Sequence, residues 1–86
     1  MVTIFRGEGL RVVIFVDDHE PAHVHVFGDG EAKINLTGPH GAPDLIWADG
    51  MKRNDLRRSL RIVTEHKVLF LNRWTEIHGR IDRRRN

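Results

Sequence analysis

His23-Val24-His25-Val26-Phe27-Gly28-Asp29-Gly30-Glu31-Ala32-Lys33-Ile34-Asn35-Leu36 decides the fold of this chain, because it reads as two strands joined by a glycine turn. Side chains alternate between the two faces of a strand, so Val24 and Val26 share one face and His23 and His25 the other. Gly28-Asp29-Gly30 supplies residues suited to a tight connection. A three-residue loop sets Val26 opposite Ala32 and Val24 opposite Ile34, which gathers the apolar side chains on one side. The same register sets His25 opposite Lys33 and His23 opposite Asn35. A two-residue loop would pair Val26 with Lys33 and His25 with Ile34 and mix the faces, so the first register is expected.

Working outward, Val2-Thr3-Ile4-Phe5 is a short β-prone opening and Gly7-Glu8-Gly9 a turn. Leu10 to Val16 is apolar or β-branched on both faces, the pattern of a strand buried in the centre of a sheet. Asp17-Asp18-His19-Glu20-Pro21 ends it, since Pro21 has no N–H for a ladder. After the hairpin, Thr37 to Pro43 reads as a loop with His40 exposed, and Asp44-Leu45-Ile46-Trp47 as an edge strand. From Asn54, read as an N-cap, to His78, the residues Leu56, Leu60, Val63, Lys67, Phe70, Trp74 and Ile77 recur at spacings of 3 and 4. Lys67 interrupts the apolar stripe, but its stem can lie along the core. Gly79 is expected to end the helix. The expectation is an α+β domain over residues 1–79, a small curled antiparallel sheet of four or five strands with one long C-terminal helix packed across it. Residues 80–86 are read as a basic flexible tail.

At 86 residues the chain supports one modest core and gains from burying surface against a partner. It has no Cys, which excludes disulfides, thiolate metal sites and Cys nucleophiles. The longest apolar run, Val12 to Val16, is far short of the roughly 20 residues of a membrane helix, and no export signal is evident, so a cytoplasmic protein with no membrane contact is expected. Charge is divided: residues 1–50 hold three Lys/Arg against eight Asp/Glu, and residues 51–86 hold eleven against four. Arg53, Arg57 and Arg61 repeat at i,i+4 with Arg58 adjacent, an arrangement that destabilises an isolated helix and suits an anion, RNA included, unless Glu65 neutralises Arg61. Ile62 and Leu69 lie off the main stripe and form a second apolar strip, expected to face a partner protein or a second copy in a homo-oligomer.

The paired imidazoles admit three chemical readings. His23 and His25 could serve as base and acid with Lys33 stabilising a phosphoryl transition state, a metal-independent ribonuclease. They could chelate a metal together with His19, with Glu20 or Asp18 as an oxygen ligand; neutral imidazole suits zinc, nickel or copper. They could also be strand residues without chemistry, in which case no cofactor is expected. A histidine-triad hydrolase is excluded, because Phe27 stands where the third His belongs. Ser59 lacks a nucleophile elbow, and Gly7-Glu8-Gly9 lacks the third glycine and following helix of a phosphate loop.

Thr3-Ile4-Phe5, the strand Val12 to Val16, the segment Asp18-His19-Glu20-Pro21-Ala22-His23-Val24-His25-Val26, then Glu31-Ala32-Lys33-Ile34 and a helix carrying Leu69, Phe70 and Trp74 resemble a family of small bacterial proteins classed as a domain of unknown function. Its signature reads roughly H-x-P-P-H-V-H-V. This chain has Ala22 where the second Pro is usual, and an insertion-like loop from Gly38 to Pro43. The resemblance implies a partnership with a small cognate protein encoded nearby, as in toxin–antitoxin modules, and no established reaction. The expected function is therefore a protein-interaction component of such a pair, with RNA as a further ligand; the residues leave open whether it is an enzyme.

Overall fold

A computed structural model describes the backbone of residues 1–83 and side chains through residue 79. Five strands, β1 (Val2–Gly7), β2 (Leu10–Ile14), β3 (His23–Phe27), β4 (Glu31–Asn35) and β5 (Asp44–Asp49), are followed by helices α1 (Arg53–Glu65) and α2 (Lys67–Arg83). The strands form one antiparallel sheet in chain order, β1-β2-β3-β4-β5. Each strand pairs with its sequence neighbour because every connection is short or hairpin-like. Glu8 and Gly9 both take positive φ, 54° and 76°, the conformation of a two-residue turn whose twist matches the flanking strands.

The β3–β4 register is the one expected from alternation: His23↔Asn35, Val24↔Ile34, His25↔Lys33 and Val26↔Ala32. At the turn, the Gly28 N–H donates to the Gly30 carbonyl at 2.9 Å. Gly30 runs so close to the Asp49–Met51 backbone that no Cβ fits there.

Leu10, Val12 and Ile14 from β2, Val24 and Val26 from β3, and Ile34 and Leu36 pack with Ile62, Val63, Phe70 and Trp74 of the helices into one core. The opposite side of the sheet is lined by a different set of residues. It carries Val13, paired with His25, together with Phe15, Phe27, Lys33 and Trp47.

Three expectations about the helix are corrected. It starts at Arg53 with Lys52 as N-cap, which makes no side-chain capping bond, so Asn54 lies inside it. It is also two helices, not one. At His66 the backbone leaves helical geometry, with φ −108° and ψ 19°. The His66 Nδ1–H donates to the Ile62 carbonyl at 2.9 Å, and its ring lies 5.0 Å from Phe5 and stacks at 17° on Phe70. The Ile62 carbonyl thus accepts both the backbone N–H of His66, at 3.0 Å, and its ring N–H, and the ring is held by aromatic neighbours. Lys67 follows, and its amine bonds the Gly41 carbonyl, which explains the polar residue in the apolar stripe. Gly79 does not end α2, which continues to Arg83; residues 84–86 of the expected tail lie outside the described residues.

The buried face of α1 is wider than the predicted stripe, since Ser59 and Ile62 are covered along with Val63. Ile62 is 1% exposed and belongs to the core, contrary to its expected place on a partner-facing strip. Leu69 is exposed as expected, at 51%, beside Val68 at 72%.

Candidate functional site

Period-2 alternation along β3 delivers His23 and His25 to the side of the sheet away from the main core, with ring centroids 5.3 Å apart. They are not water-exposed strand residues. The His23 and His25 side chains retain 5% and 12% of their accessible surface. Phe15 closes over His25 edge-to-face at 4.8 Å, and Trp74 lies 5.2 Å from His23. Trp74 is anchored in turn, its indole N–H donating to Glu20 at 3.0 Å.

Each ring has its Nδ1 taken. His23 Nδ1–H donates to the Pro21 carbonyl and His25 Nδ1–H to the Glu31 carboxylate, both at 2.9 Å. These partners only accept, so they select the tautomer in which a neutral ring presents its Nε2 lone pair. Both Nε2 atoms then face Asp18, with Oδ2 3.0 Å from His23 Nε2 and 3.6 Å from His25 Nε2. The shorter contact is not aligned as a hydrogen bond, and Asp18 Oδ2 and His23 Nε2 are buried without a hydrogen-bond partner. The loop after β2 makes this meeting, because it folds the Asp18 carboxylate back onto the β3 imidazoles.

Lys33 stands opposite His25 in the ladder and, with Asp18, His23, Asn35 and Ile46, lines a cleft of about 420 Å³. The catalytic trio of the sequence reading is therefore assembled on one face, but both Nε2 atoms turn toward a carboxylate rather than toward open solvent. For the metal reading, the donor set is corrected: Asp18, His23 and His25 form the three-residue cluster among the described residues, and exposed His19 is not part of it. Glu31 was missed as a partner of His25. Its signal was present, since Phe27 pairs with Glu31 and a diagonal cross-strand neighbour lies within reach.

Arg53, Arg57, Arg58 and Arg61 are exposed along α1. Arg58 pairs with Asp55 at 2.5 Å, and Arg61 pairs with Glu8 and Glu65. The hydrogen bond and charge of Glu8 hold the Arg61 pKa above its ordinary value. Among the described residues Arg53 and Arg57 make no ion pair, so half of the arginine group is neutralised within the fold.

A family model described as a domain of unknown function, DUF4160, matches residues 9–75. The chain belongs to the DUF4160 family. The matched span holds Asp18, His23, His25, Glu31 and Lys33 and both helix segments around the His66 break, so the DUF4160 domain includes the complete cluster. No curated protein and no solved structure is significantly similar to the chain. Within the described residues, no helix is long and apolar enough to cross a membrane.

Proposed function

We propose that this DUF4160 domain is a protein-interaction component of a bacterial toxin–antitoxin-like pair, docking a small cognate protein on the first turn of α2. The observation that carries this reading is the exposure of Val68 and Leu69, at 72% and 51%, next to the fully buried Phe70. Two adjacent aliphatic side chains left in water on an 86-residue chain are a ready contact, because their burial would add apolar area that so small a core lacks. Arg53 and Arg57 on α1, which make no ion pair among the described residues, would steer an acidic partner, with association weakening as salt rises.

A ribonuclease using His23, His25 and Lys33 is the weaker reading. A base and an acid must reach substrate, and here both Nε2 atoms face Asp18, with that of His23 buried. Arg53 and Arg57 favour RNA only as an electrostatic ligand.

The test is co-expression with the neighbouring gene product. The double variant Val68→Asp, Leu69→Asp is expected to remain folded by circular dichroism and to lose co-purification. Retention of the partner at wild-type stoichiometry would refute this docking surface. RNA cleavage in metal-free buffer that disappears in His25→Ala would replace the interaction reading with the enzymatic one.

A further inference from the structure

Protein hydrogen bonds do not account for the convergence of Asp18, His23 and His25. One donor atom from each lies within 4.8 Å of the other two. Ligands about 2.0–2.1 Å from a tetrahedral ion are about 3.3–3.4 Å from each other. The contacts of Asp18 Oδ2 with the two Nε2 atoms, 3.0 and 3.6 Å, bracket that edge. Since each Nδ1–H is committed to Pro21 or Glu31, neutral rings aim two lone pairs at one carboxylate oxygen. Lone pairs facing an anion in a site where Asp18 Oδ2 and His23 Nε2 are shut off from water repel, so a positive species belongs among them.

We propose that Asp18 Oδ2, His23 Nε2 and His25 Nε2 bind a divalent transition-metal ion, zinc by donor type. Two imidazoles and one carboxylate match zinc and its neighbours, whereas magnesium demands an oxygen octahedron and keeps its waters. Glu31 completes the arrangement as the carboxylate that fixes the His25 ring and raises its basicity, and the Pro21 carbonyl does the same for His23. Three protein donors leave a fourth position for water from the cleft beside Lys33. The ion would tie the loop after β2 to β3. This inference stands apart from the docking surface on α2, which shares no residue with it.

The experiment uses the full chain, stripped with chelator and shown to be folded, and titrates it with zinc chloride by calorimetry and thermal melting, with magnesium chloride in parallel. One saturable zinc site is expected, with a melting temperature that climbs with zinc and ignores magnesium. Asp18→Asn and His25→Gln should each remove the response, and Glu31→Gln should weaken zinc binding roughly 10–100-fold. Binding should fade on acidification, because a metal-bound imidazole nitrogen cannot keep its proton. Nitrogen-15 shifts of the imidazoles read the site directly in the wild-type protein, even where a variant does not fold. Zinc should move both Nε2 resonances and leave Nδ1 protonated. The proposal is overturned by a folded protein without a saturable zinc response, or by a response that survives in both Asp18→Asn and His25→Gln. Nε2–H protons persisting on both rings in excess zinc would also overturn it, since the positive species would then be the proton.

Discussion

Ile62→Ala separates the core assignment of this residue from the interface role that helical periodicity suggested. The substitution removes three carbons from a side chain that is 1% exposed and packed in the main cluster. At about 0.8 kcal/mol per buried methylene the transfer loss alone is about 2.4 kcal/mol. The cavity left behind raises this to about 3–4 kcal/mol, inside the range seen for Ile→Ala in cores. A domain of this length has a total stability of roughly 4–13 kcal/mol, so the variant would be marginal. Its melting temperature should fall by roughly 12–30 °C, at about 4–8 °C per kcal/mol. Leu69→Ala is the control: the side chain is half in water, and its loss should cost less than about 1 kcal/mol. Urea and thermal unfolding by circular dichroism, at two protein concentrations tenfold apart, give both values and reveal any self-association. If Ile62→Ala melts within the range of Leu69→Ala while losing a partner, Ile62 belongs to an interface and the core assignment is wrong.

Gly30→Ala should destabilise by at least about 1–3 kcal/mol in urea unfolding, because an added Cβ meets the backbone of Asp49 and Gly50, which cannot rotate away as a side chain could; unchanged stability would mean that the β5–α1 connection sits elsewhere. Trp74→Phe keeps most of the buried ring but removes the indole donor to Glu20, for an expected loss of about 0.5–1.5 kcal/mol by the same assay. The Val68→Asp, Leu69→Asp pair should retain the wild-type unfolding curve while abolishing partner capture, and zinc should protect the wild type but not Asp18→Asn in a thermal melt.

Local pattern was sufficient wherever a residue's role depends on its immediate neighbours. Strict alternation from His23 to Asn35 and the glycine turn at Gly28–Gly30 determined the hairpin register, since a one-residue slip would have exposed Val24 and Val26. The same periodicity placed both imidazoles and Lys33 on one face, and the apolar run beginning at Val12 placed β2 inside the sheet. The 3,4 spacing identified Val63, Phe70 and Trp74 as the buried side of the helical region.

Helical spacing gives the direction of a buried face but not its width. Ile62 stands one position before Val63 within α1 and both are buried in the core, so the covered face is wider than the 3,4 stripe; the break at His66 is silent in sequence, because the residue is neither the glycine nor the proline that marks one. What ends α1 there is tertiary: a ring held between Phe5, some sixty residues away in the chain, and Phe70. The site divides in the same way. The two imidazoles were legible because one strand presents them, but the donor they share comes from a loop whose path no pattern encodes. Asp18 and His19 are adjacent and equally polar in the sequence, and only the fold turns the carboxylate inward and leaves the imidazole in water. Alternation determined which side chains share a face; the loop's closure over β3 decided which of its neighbours meets them, because that closure is set by packing of Phe15, Trp74 and Glu20 rather than by local backbone preference.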